Sequence, residues 1–185
     1  MSRSTVKSQI PEYGQTWWGN EWIEALMNII PENRLLRGLR YAREGRIHNM
    51  TLKSNSIHAE VRDSNNSIYD IYLEITPFTS QQVDDFFKEI KQHTAILTQM
   101  LDHKLDPSVL PIAEEGGMRV FPTSSRDFVM YCTCPHDTMP CKHLAAILYK
   151  VCEEIDKDPF YVFKIHGLNL FERLQEEGIT IDEED

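Results

Sequence analysis

The stretch Val129-Met130-Tyr131-Cys132-Thr133-Cys134-Pro135-His136-Asp137-Thr138-Met139-Pro140-Cys141-Lys142-His143 decides how the rest of this chain is read. Three of the four cysteines fall within ten residues, and a histidine follows two positions after the third. The spacing is C-x-C, six residues, then C-x-H. It gathers four soft or borderline donors, a set that suits a tetrahedral zinc ion in a closed site, and thiolates disfavour the harder cations. Cys132, Cys134, Cys141 and His143 are therefore the candidate ligands of one structural Zn2+. Phe128 to Thr133 reads as a short strand on which Cys132 and Cys134 share a face. Pro135 and Pro140 bound a turn. A helix follows from about Cys141, with Leu144, Ala145, Ile147, Leu148, Val151, Cys152 and Ile155 as its apolar stripe. The free amides at its start favour thiolates.

Other readings of the same residues stay open. His136 can stand in for His143 as fourth ligand. A C-x-C redox dithiol is possible chemistry, but it leaves Cys141 and His143 without a role. A catalytic Cys141/His143 pair is disfavoured, because positions i and i+2 point apart on a helix. Four ligands in one compact segment favour a closed structural site over a catalytic one, which keeps an open coordination position. Cys152 lies on the stripe and reads as an ordinary buried thiol.

Working outward toward the N-terminus, the pattern Ile57, Ala59, Val61 and then Tyr69, Ile71, Leu73, Ile75 has a period of two. Lys53-Ser54-Asn55-Ser56 and Asp63-Ser64-Asn65-Asn66-Ser67 supply turn residues between the runs. A three-stranded antiparallel meander is expected over residues 46–76, ended by Pro77. Next a helix is expected over 80–104, with Val83, Phe86, Phe87, Ile90, Leu97, Met100 and Leu101 as the stripe that covers a sheet face. His93 and His103 on it read as surface or packing residues. Residues 105–126 carry Pro107, Pro111, Gly116, Gly117 and Pro122, and read as a connector.

All three tryptophans sit in Tyr13-Gly14-Gln15-Thr16-Trp17-Trp18-Gly19-Asn20-Glu21-Trp22. A helix is expected from Asn20 as N-cap, with Trp18, Trp22, Ala25, Leu26 and Ile29 toward the core. The tryptophans read as core anchors, or else as a stacking surface. Then Arg34, Arg37, Arg40, Arg43 and Arg46 recur every third residue, a slowly winding cationic stripe on a helix that Gly45 ends. The stripe is either a solvated face paired with acids or a phosphate- or partner-contacting patch, to which Lys142, beside the zinc ligands, can add.

The domain organisation expected is a lead-in over 1–12, an α+β body over 13–104, the connector over 105–126, a strand–turn–helix zinc finger over 127–157 and a helical segment with an acidic tail over 158–185. The 185-residue chain of 21.6 kDa is long enough to bury a core without metal or disulfides. The net charge of −10 argues against a protein that coats nucleic acid non-specifically. Basic residues outnumber acidic ones before residue 63 and are outnumbered after it. No apolar run approaches a membrane span, and nothing supports membrane-surface binding. The N-terminus lacks a signal-peptide apolar region, so a reducing cytoplasm is expected. There is no phosphate-binding glycine loop, no H-E-x-x-H and no nucleophile elbow, so neither an enzyme nor a small-molecule substrate is expected.

At Cys132-x-Cys134-x₆-Cys141-x-His143, with Pro135 after the second cysteine and Lys142-His143-Leu144-Ala145-Ala146 opening the helix, the chain resembles the SWIM zinc finger. Tyr13-Gly-x-Thr-Trp-Trp-Gly-x-x-Trp22, Arg37-Gly-x-x-Tyr41-Ala-Arg43-x-Gly45 and Asp158-Pro159-Phe160 extend the likeness to the small stand-alone bacterial proteins of that family. The resemblance implies that the four motif residues bind zinc. It also implies an accessory protein that works with a Swi/Snf-type helicase and contacts protein or DNA. Direct nucleic-acid binding through Arg34–Arg46 is the alternative.

Overall fold

The computed structural model describes residues 12–179. Most of the expected lead-in, and the acidic tail Ile181–Asp185, lie outside the described residues. The fold is α+β, as the patterning predicts. Three strands, β1 (Ile47–Lys53), β2 (Ser56–Arg62) and β3 (Ile68–Ile75), form the expected antiparallel meander. The sheet has a fourth member, however. β4 (Phe128–Cys132) pairs antiparallel with β3, placing Cys132 opposite Ile71 and Phe128 opposite Ile75. The strand that delivers the cysteines is therefore part of the same sheet as the meander. Ile57, Ala59, Val61, Ile71, Leu73 and Ile75 are all buried on one face.

Five helices lie in the first two thirds of the described chain. α1 (Trp17–Ile29) starts a turn earlier than expected, because Thr16 rather than Asn20 is the N-cap: its hydroxyl accepts from the Gly19 amide at 3.0 Å. α2 (Glu32–Arg43) follows, and Gly45 comes just past its end with φ +67°. The single helix expected over 80–104 is two, α3 (Ser80–Ile90) and α4 (Thr94–Leu101). The reason is legible in hindsight. The positions three and four beyond Ile90 are His93 and Thr94, so a straight continuation would turn polar groups onto the core. Breaking the helix brings Met100 back to full burial. Residues 105–126 are not structureless: they contain α5 (Val109–Glu115), with Val109 and Ala113 fully buried.

The centre of the molecule is α6 (Lys142–Lys157), where every residue from His143 to Tyr149 is buried. A helix buried all round over its first two turns belongs inside a fold rather than on its surface. Three neighbours surround it. Against α2, the pseudo-Cβ of Gly38 would lie 2.4 Å from Cβ of Ala145, so any side chain there would separate the helices. From α1, Trp22 Nε1 donates to the Leu148 carbonyl at 3.0 Å. On the third side are β3 and β4. Short helices α7 (Tyr161–Lys164) and α8 (Leu170–Glu176) complete the chain, and Phe163 meets Phe86 of α3 at a ring separation of 5.9 Å.

Of the three tryptophans, Trp18 and Trp22 are core anchors and Trp17 is 40% exposed. Trp18 Nε1 donates to the Leu105 carbonyl at 2.8 Å. No helix among the described residues is long and apolar enough to cross a membrane.

Candidate metal centre

β4 ends at Cys132, one residue sooner than the sequence suggests, although the Thr133 amide still bonds to the Asp70 carbonyl at 3.1 Å. The turn beyond it carries Cys134. Cys141 then serves as the backbone N-cap of α6, and His143 lies in its first turn. The four donor atoms of Cys132, Cys134, Cys141 and His143 lie within 4.8 Å of one another, and all four residues are buried. Nδ1 of His143 is 3.7 Å from Sγ of both Cys132 and Cys141. Tetrahedral zinc with thiolate and imidazole ligands has donor–donor edges of about 3.5–3.8 Å, computed from its bond lengths. The donor set, its spacing and its burial therefore fit a metal ion of this kind.

His136 is exposed and lies outside this group; its ring centroid is 6.1 Å from that of His143. Cys152 is buried far along α6, with Sγ 3.5 Å from the Gly19 carbonyl. His93 pairs with Glu89 at 3.1 Å, and His103 stacks on Phe171 at 3.8 Å.

The thiols do not behave alike. The neighbouring Cys132 thiol favours the anion on Cys141; burial opposes its ionisation, but His143 and the Leu144 amide favour it, and its pKa is pulled well down. Cys132 is pushed up by the same contact and by burial. The contact thus favours the anion on Cys141 over Cys132, and an arriving ion would displace the protons that remain on the thiols.

The structure adds residues that the sequence reading passed over. Asp63, read only as a turn residue, lies beside the cluster and is 6% exposed. Its Oδ2 is 3.4 Å from Nε2 of His143. Its Oδ1 accepts from the Tyr41 hydroxyl, from the Ser64 amide at 2.7 Å and from Lys142 Nζ at 3.1 Å. Burial raises the Asp63 pKa, but these donors outweigh it and hold the carboxyl far below the usual range. The Tyr41 and Tyr69 rings flank His143 at 5.6 and 5.0 Å. Neither an aspartate in a polar turn nor a tyrosine in an arginine-rich helix carries a spacing that points to a histidine 80 or 102 residues away.

The basic residues are spread differently from one another. Lys142 is turned inward, 3.1 Å from Asp63 and with Nζ 4.9 Å above the Tyr41 ring. Arg40 pairs with Glu44 at 2.9 Å, Arg43 with Glu12, and Arg46 with Glu44. Among the described residues, Arg34 and Arg37 have no acidic partner, and Arg37 is exposed. Three of the five arginines thus belong to a solvated, acid-paired face.

No protein-family model matches this chain, and no solved structure does. The chain is 30% identical over 153 residues to the uncharacterized protein Rv2102 of Mycobacterium tuberculosis. The match takes in 83% of this chain and spans 55% of the length of that relative.

Proposed function

We propose that this chain is a SWIM-type zinc-binding adaptor, with one structural Zn2+ held by Cys132, Cys134, Cys141 and His143. The observation that carries the reading is the closed, buried set of four donors within 4.8 Å. Bound zinc would supply a cross-link between β4 and the start of α6, and no reaction is assigned to it. The thiol-rich ligand set suits a reducing cytoplasm. The partner proposed is a Swi/Snf-type helicase, on the strength of the sequence resemblance.

The test has two parts. Purified full-length protein should carry about one zinc per chain, read by elemental analysis; a metal-free, fully folded protein would end the zinc reading. Zinc-loaded protein should retain a Swi/Snf-type helicase from native extract, and Cys132→Ser should lose it. Recovery of no helicase would remove the adaptor reading while leaving the zinc site standing.

A second reading is favoured by the lack of an acidic partner at Arg34 and Arg37 among the described residues: direct nucleic-acid contact through that turn of α2. Fluorescence anisotropy against single- and double-stranded DNA across a salt series tests it. Steeply salt-dependent binding that vanishes on neutralising Arg34, Arg37 and Arg40 supports it, and no binding at low salt excludes it.

A further inference from the structure

The donors that reach the Asp63 carboxylate all land on one oxygen. Tyr41, Ser64 and Lys142 converge on Oδ1. Oδ2 faces the other way, 3.4 Å from Nε2 of His143. That nitrogen is buried and has no hydrogen bond of good geometry, so Oδ2 is the acceptor within its reach. The opposite nitrogen, Nδ1, faces the thiols of Cys132 and Cys141.

A neutral imidazole carries one proton, on one of its two nitrogens. Were the proton on Nδ1, it would block the donor atom that faces the cysteine cluster. It would also leave two lone pairs, on Nε2 and Oδ2, facing each other in a site closed to water, which is costly. With the proton on Nε2 both problems vanish. The N–H then has a carboxylate oxygen 3.4 Å from its nitrogen, and Nδ1 keeps a free lone pair.

We infer that Asp63 is the positioning residue of the metal centre: its Oδ2 accepts the Nε2 proton of His143 and so fixes the tautomer that presents Nδ1 to the ion. The assignment rests on the zinc reading above. The geometry divides the labour between the two oxygens. Oδ1 is gripped by three separate elements, the end of α2, the β2–β3 turn and the first residue of α6. The carboxylate is therefore aimed before a metal binds. Lys142 places a positive charge where Asp63 and a thiolate-rich centre would otherwise set like charges together.

Asp63→Asn tests the inference in the full chain. The amide oxygen can still serve Tyr41, Ser64 and Lys142, which puts the NH₂ group against Nε2 and reverses the polarity of that contact. Zinc affinity, read by competition with a chromophoric chelator, should fall about 10–100-fold. Tyr41→Phe removes one of the three bonds that aim the carboxylate and leaves the Ser64 amide and Lys142 in place, so zinc affinity should fall less than in Asp63→Asn. Nitrogen-15 NMR of zinc-loaded wild-type protein should show His143 protonated at Nε2 and metal-bound at Nδ1, which decides the matter even if Asp63→Asn does not fold. Wild-type affinity in Asp63→Asn, or a His143 bound through Nε2, would overturn the assignment alone. A wild-type chain that takes up no zinc would overturn the function reading and this one with it.

Discussion

The two ends of α6 are fastened by opposite means. At its start, four donors converge on a site that suits a metal ion, and three of them are thiols that must lose protons to bind it. At its end, Asp156 gathers the amides of Gly14, Gln15 and Thr16 at 2.7, 3.2 and 3.0 Å and the Thr16 hydroxyl at 2.8 Å. That second clamp is made wholly of the chain itself. It also explains a glycine: a Cβ at position 19 would sit 2.0 Å from Asp156 Oδ1. The difference teaches that, on the proposed zinc reading, one end of the central helix would depend on the supply of an ion and the other would not.

Metal removal should expose that asymmetry most strongly. Chelation, or Cys132→Ser, is expected to strip hydrogen-exchange protection from amides 145–148 while those of 152–157 stay protected. The loss of stability should exceed the ~0.5–3 kcal/mol of an ordinary substitution. Equal loss along the whole helix would mean that both ends answer to the metal, because β4 and α6 share the sheet and core of the body. Next in size is the middle of the helix. Gly38→Val should cost about 3 kcal/mol in denaturant unfolding, since its Cβ meets backbone as well as the side chain of Ala145. Asp156→Ala attacks the metal-independent end. It leaves three amides short of an acceptor and should cost about 2 kcal/mol, with zinc affinity unchanged.

These contrasts bear on what the sequence discloses. The four-donor cluster was legible because all four residues lie within twelve residues of chain, in a spacing that suits a metal ion. The meander was legible because one face is buried, which imposes alternation on Ile57–Val61 and Tyr69–Ile75. The fourth strand was not assigned to the sheet. Five residues, with about fifty between them and their partner, carry no sign of where they pair. Asp63 and Asp156 were missed for the same reason: each acts on groups far away in sequence, and a lone aspartate reads as a cap, a turn or a solvated charge. The arginine spacing was plain, but whether a given arginine meets an acid depends on tertiary contacts such as Arg43 with Glu12.

Smaller effects sharpen the comparison at the entrance to β4. Burial raises the pKa of Asp127, but the amides of Thr123 and Ser124 and the Arg119 guanidinium outweigh it, and the net shift is downward. A folded value below that of the unfolded chain means a contribution present above about pH 4 and lost as pH falls through the folded value. Asp127→Asn should therefore lower stability by about 1 kcal/mol at neutral pH and flatten the acid limb, measured by urea unfolding against pH. Smallest of all, Arg34→Ala with Arg37→Ala should change stability by less than about 0.5 kcal/mol. Any lost binding in that double variant is then a property of the surface and not of the fold.

The placement of β4 has a consequence for the order in which the chain assembles. Cys132, Cys134, Cys141 and His143 are neighbours in sequence, so their loop closes within microseconds at little entropic cost. The partner strand β3, by contrast, ends at Ile75, and closing that long loop is slower. During synthesis the four donors emerge from the ribosome almost together, after the meander has already left it. An ion captured at that moment would pre-form the hairpin between β4 and α6, leaving the sheet edge to recognise a finished unit instead of a bare strand.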